Sequence, residues 1–362
     1  MALSLCRGAC LVGKVGVAES ADSKLWRRYG AGDRLMTSAA LRTTLLRSVL
    51  ARSCQRSGAS HCALSARDLH NRSGRRHLTK ASASDVRTSE TVTGQAAMGE
   101  IVPAVIVGAG RVGSALEKMG GGNDVLVKRG EPIPADGQGP IIICTRNDSL
   151  AGIIDATPAS RREDLVFIQN GMLEPFLESK GLASATQVLV YFAVAKAGDA
   201  PIDGKTDMNP EGLTASTGKW ASAVAARLES AGLSCKVLDA EEFKKPQLEK
   251  LIWISAFMLV GTRHPGATCG DVESKYREEV VSLIQELAAV AESVKNTKFD
   301  SGIEERLCAY ARSVSHYPTA VKEFEWRNGW FYDISQRALS NGETDPCPLH
   351  TAWLKEVGVV KS

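Results

Sequence analysis

The chain has 362 residues, with 44 Lys and Arg against 41 Asp and Glu, 44% hydrophobic residues and 23% charged ones. Those fractions exclude a largely disordered chain, and the length leaves room for two domains. The longest apolar stretch, Leu251 to Gly261, falls short of the ~20 residues a helix needs to cross a bilayer, so no membrane span is expected.

The net charge of +3 is unevenly spread. Residues 1–80 hold 15 Lys and Arg against 4 Asp and Glu, so the rest of the chain is mildly acidic. An acidic body argues against nucleic acid as a partner. The basic segment is Arg- and Ser-rich and poor in acids, as organelle transit peptides are. Its stretch 41–52, LRTTLLRSVLAR, suits an amphipathic helix. Residues 1–98 are therefore expected to be a transit peptide and linker, with cleavage within 60–98. The Arg helix points to a mitochondrion, the Ser and Ala content to a chloroplast. Four of the nine cysteines lie in this segment. The other five, Cys144, Cys235, Cys269, Cys308 and Cys347, show no CxxC spacing, which fits reduced thiols and gives no metal site.

The body opens with a strand at 104–107, then Gly108-Ala109-Gly110-Arg111-Val112-Gly113, a helix over 114–119 and a strand at 124–129. A GxGxxG turn between a strand and a helix is the dinucleotide-binding context. Gly108 is expected to form the tight turn, Gly110 to admit the pyrophosphate and Gly113 to let helix and strand pack. Arg111 and Val112 share that turn. NAD enzymes carry an acidic residue at the end of the second strand, for the ribose 2′-hydroxyl. This chain carries Lys128 and Arg129 there. Two cations pair with a 2′-phosphate, which favours NADP(H); the alternative is a solvated basic turn.

Further strands are expected at 140–144, 165–169, 187–194 and 234–238, with a helix over 219–231. After residue 240 the pattern turns helical: 246–261 is apolar all round, and 276–295 and 302–314 are amphipathic. The fold class is thus α/β: a Rossmann-type dinucleotide-binding domain over 101–240, followed by an all-α substrate or dimerisation domain over 241–362. The cleft between them is the expected site.

The order GAGRVG, FIQNGM (167–172), Glu249-Lys250-Leu251 and EFEWRNG (323–329) resembles the ketopantoate reductase family, over about residues 103–335. Uncharacterised plant and algal reductase-like proteins are similar too, which moves the expectation toward a chloroplast. The resemblance implies an NADPH-dependent oxidoreductase acting on a small 2-oxo or hydroxy acid, with a helical domain of the 6-phosphogluconate-dehydrogenase type. It makes Lys250 the substrate-binding and proton-transferring lysine, and Glu323 its acidic partner, with Glu325 at a second, structural acidic position. Asn170 matches an Asn at the nicotinamide end, and Thr145 and Arg146 are placed beside it. Without the resemblance, Lys250 reads better as a surface lysine at a helix start, Glu323 equally as a solvated helix residue, Asn170 also as a turn residue and Asn147 or Asp148 as a helix cap. Pro318 is expected to start the helix that carries Glu323, and Gly329 to end it.

The chain departs from the pattern at Ile254, where the family has a substrate-binding Asn one turn beyond the lysine. A second such Asn has no match in 258–263, with His264 as a candidate substitute. Residues 336–362 fall outside the pattern. The rival function class is an NADP(H)-binding protein without turnover, a redox sensor or scaffold.

Overall fold

A computed structural model describes residues 101–361. The proposed transit peptide and linker lie outside the described residues.

Seven strands form one sheet: β1 (Val105–Val107), β2 (Val125–Val127), β3 (Ile141–Ile143), β4 (Leu165–Phe167), β5 (Thr186–Leu189), β6 (Ala215–Thr217) and β7 (Lys236–Val237). Their spatial order is β2-β1-β3-β4-β5-β6-β7, all neighbours being parallel except the antiparallel pair β5–β6. The expected strands are present but shorter, and the antiparallel β6 is an addition. Strands β1, β3 and β4 read VIV, III and LVF and are buried throughout, as parallel strands covered on both faces must be.

The pleat divides these residues between two layers. Val105, Val107, Ile141, Ile143, Leu165 and Phe167 pack toward α2 (Leu150–Ala156) and α3 (Glu174–Ser179). Ile106, Ile142 and Val166 pack toward α1 (Arg111–Lys118) and α4 (Ala221–Glu229). The buried Arg227 of α4 ties that layer together, donating to Asp124, to the Leu116 carbonyl at 2.9 Å and to the Val102 carbonyl at 2.9 Å.

Six helices follow: α5 (Ala240–Arg263), α6 (Cys269–Lys275), α7 (Arg277–Lys295), α8 (Ile303–Ser313), α9 (Asn328–Ser340) and α10 (Pro348–Glu356). Helix α5 starts at a capping box: Asp239 accepts from the N–H groups of Glu241 and Glu242, and Glu242 accepts from the Asp239 N–H. From Leu248 onward α5 is buried on nearly all sides and forms the axis of the helical core. Its core also takes in Leu189 and Ala215, so the far half of the sheet and the helices share one apolar interior.

The expected helix from Pro318 to Gly329 is not formed. Pro318 instead pairs its backbone with Thr268 in an isolated bridge, and Glu323 sits in the left-handed region at φ 47°. A short 3₁₀ turn follows at Phe324–Trp326, and α9 begins at Asn328, so Gly329 lies inside a helix start rather than at an end. Residues 336–361 continue the helical domain. The Glu286 carboxylate on α7 accepts the N–H groups of Leu349 (2.9 Å) and His350 (2.8 Å), which caps α10. The buried His350 ring meets Asn328 Oδ1 at 2.9 Å, fastening the tail to the start of α9.

Among the described residues, no helix is long and apolar enough to cross a membrane, and no group of His, Cys, Asp or Glu could hold a metal ion.

Candidate active site

The chain runs from β1 to its neighbour β2, then crosses back to β3 on the other side of β1. Open α/β sheets bind ligands at such a reversal, outside the carboxyl ends of the strands. A cavity of about 1070 Å³ lies there, lined by Gly108, Gly110, Lys128, Arg129, Thr145 and Arg146 among others.

The glycine turn fits a phosphate group. Gly108 has φ 110°, and a Cβ on Gly113 would stand 1.8 Å from the Gly108 carbonyl oxygen, so helix and strand approach as closely as backbone allows. Beside Gly110 a Cβ would meet nothing within 4 Å, leaving open space over the start of α1. No side chain caps α1 and no acid occupies its first turn, so its N–H groups and positive dipole end remain available to an anion. Arg111 turns away and donates to the carbonyls of Val194 (3.3 Å) and Ala195 (2.9 Å), and Val112 packs against the sheet.

Lys128 and Arg129 are exposed on the cavity wall with Arg146. Glu131 is also on this wall, where its carboxylate accepts the Lys128 N–H at 2.7 Å, and Asp148 pairs with Arg146 at 3.1 Å. Thr145 and Arg146 therefore line the glycine-turn cavity with Lys128, and not the cavity that Asn170 borders. Asn147 caps no helix by its side chain; it is buried and donates to the Asn170 carbonyl at 3.1 Å.

A second cavity, about 280 Å³, lies at the carboxyl ends of β4 and β5. Asn170 and Val190 border it from the sheet, Lys250 and Ile254 from α5, and Arg327 from the loop before α9. The two cavities stand on adjacent strands that are tied together: Gln169, after β4, donates to the carbonyls of Ile143 (2.8 Å) and Thr145 (3.1 Å) after β3.

Lys250 is 5% exposed. Its Nζ donates to the Val190 carbonyl and lies 4.0 Å from the centre of the Tyr191 ring. Burial, reinforced by the Arg327 guanidinium, lowers its pKa to about 7. Burial likewise lowers that of Arg327, against the pull of its ion-pair partner Glu323.

Gly171 makes the meeting of these pieces possible. It has φ 113°, and a Cβ there would come 2.4 Å from the Trp326 carbonyl oxygen, which accepts the Met172 N–H at 2.7 Å. The Asn-Gly-Met and Glu-Phe-Glu-Trp-Arg-Asn-Gly elements, 150 residues apart in sequence, are thus bonded to each other.

Of the expected residues, Lys250 and Asn170 share this cavity. Glu323 does not line it and reaches it through Arg327; Glu325 is exposed. His264 is committed elsewhere, stacked on Tyr276 and bonded to Glu279 at 2.9 Å, so it does not replace the missing Asn. Arg327 and Tyr191 were not expected. The trace of Arg327 in the sequence is a lone cation between the acids and Asn328.

No protein-family model matches the chain, and no curated protein does. Solved structures share the fold. A PanE/ApbA-family ketopantoate reductase from Ralstonia eutropha aligns with TM-score 0.53 at 15% identity, over 71% of this chain and 97% of its own. A 2-dehydropantoate 2-reductase from Methylococcus capsulatus gives 0.52 at 17% identity, over 72% and 99%. A D-mandelate dehydrogenase, in a ternary complex with NADH and anilino(oxo)acetate, gives 0.50 at 15% identity, over 71% and 97%. The chain has the ketopantoate reductase fold, a Rossmann domain followed by a helical domain.

Proposed function

We propose that this protein is an NADPH-dependent oxidoreductase that interconverts a small 2-oxo acid and its 2-hydroxy acid, in an organelle and more in keeping with a chloroplast than a mitochondrion. The observation that carries the reading is Lys250: a buried amine with a pKa near 7, bordering a small cavity one strand away from a glycine-turn cavity. Core lysines are rare because burying an amine is costly, and one retained at a cavity is a functional-site candidate.

Gly108, Gly110 and the open end of α1 would hold the pyrophosphate of the cofactor, and Lys128 and Arg129 its 2′-phosphate. A reduced nicotinamide supplies a hydride when bound. Asn170, at the edge of the second cavity, orients the carbonyl group by hydrogen bonding. The Lys250 ammonium offsets the charge developing on the carbonyl oxygen and delivers the proton that makes it a hydroxyl. A pKa near 7 leaves both forms of the amine populated at neutral pH, as a group that donates and regains a proton requires. Glu323 holds the Arg327 guanidinium in place. The fold shared with dehydrogenases of oxo and hydroxy acids agrees with this reading.

The test is turnover with a panel of 2-oxo acids and NADPH, in the native protein and in Lys250→Ala. Turnover should fall ~10²–10⁴-fold in the variant, with NADPH affinity retained. NADPH binding without turnover on any acid would favour a non-catalytic sensor or scaffold.

A further inference from the structure

The residues bordering the Lys250 cavity include three cations, Lys250, Lys322 and Arg327, and no carboxylate. The nearest acid in the same loop, Glu323, stands behind Arg327 and pairs with it. The guanidinium is largely withdrawn from water, with 14% of the side chain exposed, and its Nε is buried without a hydrogen-bond partner. An arginine held by one carboxylate, with a further donor unmet, has capacity for a second anion. Ile254 presents hydrocarbon one turn beyond Lys250, and Trp253, Tyr310 and Tyr317 complete that side of the cavity, the Trp253 indole N–H being buried without a partner.

We infer that Arg327 is the carboxylate-binding residue of this cavity, reading the acid group of a 2-oxo acid. The assignment rests on the reductase reading for the place of the carbonyl, which faces Lys250. The carboxylate one bond away then faces the second cation, and the rest of the molecule meets Ile254 and Trp253. Selection by such a site rests on charge: a neutral amide in place of the carboxylate leaves the buried guanidinium underbonded.

The probes are phenylpyruvate and its amide. Each is titrated calorimetrically into the full chain with and without NADPH, so binding is read independently of turnover. The native protein should bind phenylpyruvate ~10–100-fold more tightly than the amide, as a charge-assisted pair does. Arg327→Met should remove that preference, Arg327→Lys should restore part of it, and neither should change NADPH affinity more than ~twofold. The double variant Arg327→Met with Glu323→Gln, which leaves no unpaired acid, guards against misfolding and should show the same loss.

Unchanged acid binding in the Arg327 variants, loss of NADPH affinity in them, or no acid binding to the native protein would each overturn the assignment. Arg327-dependent acid binding without NADPH oxidation would leave it standing and defeat the reductase reading.

Discussion

Replacing Lys250 by Met should stabilise the protein in acid and not in base. Lys250 is buried, and its pKa drops from 10.5 to about 7, chiefly by desolvation and then by Arg327. Between those two values the unfolded chain binds more protons than the folded one, so native stability rises with pH across that window. Below about pH 7 the difference costs the folded state about 5 kcal/mol, and near pH 10 about 1 kcal/mol. Methionine removes this dependence. It also leaves the Val190 carbonyl without its donor, at about 1–3 kcal/mol at every pH, which shifts the curve without changing its slope. The variant should therefore be more stable than the native protein near pH 6, by a few kcal/mol, and equal or less stable near pH 10. Urea unfolding of both proteins across that range measures the difference, in which all other titrating groups cancel. Stability curves that run parallel would refute the buried, depressed lysine.

Replacing Lys128 and Arg129 by Ser should weaken NADPH at least ~tenfold and leave NADH nearly unchanged, read by fluorescence titration. Gly113→Ala forces a methyl group against the Gly108 carbonyl oxygen; it should cost about 1–3 kcal/mol in thermal unfolding and abolish NADPH binding. Asp124→Ala leaves Arg227 charged and without its acid where both side chains are 1% exposed. It should cost about 3–5 kcal/mol in denaturant unfolding while the double change Asp124→Ala with Arg227→Met costs less.

Much of the first domain was legible in the sequence because its signals are local. A β-branched run, three glycines and a helix start fall within a dozen residues, and burial on both faces makes the strands continuously apolar. The loop around Glu323 was not legible in this way. Pro318 and Gly329 occupy positions that suit a helix's start and end, but Pro318 pairs with Thr268 and Glu323 takes a left-handed conformation. Both depend on contacts some 50 residues away or on a neighbouring ion pair. The strand β6 was missed because Ala-Ser-Thr carries no apolar signal and is buried only by its neighbours. Lys250 and Asn170 are named by a resemblance of motif order; their shared cavity depends on the bond of Lys250 to the Val190 carbonyl and on that between Met172 and Trp326, which brings Arg327 to Asn170. Arg327 was passed over because a cation's role is set by where its side chain ends, and no spacing rule gives that.

Transfer of the hydrogen itself tests the central claim most directly. The full chain is incubated with NADPH deuterated at the reactive nicotinamide carbon and with phenylpyruvate, and the products are weighed by mass spectrometry. A reductase produces 2-hydroxy acid carrying one deuterium on the carbon that was the carbonyl, with an equal amount of NADP⁺, and Lys250→Ala produces little of either. NADPH that stays bound and unconsumed beside an unchanged acid, across the whole panel of 2-oxo acids, would contradict the account and leave a cofactor-binding protein without this chemistry.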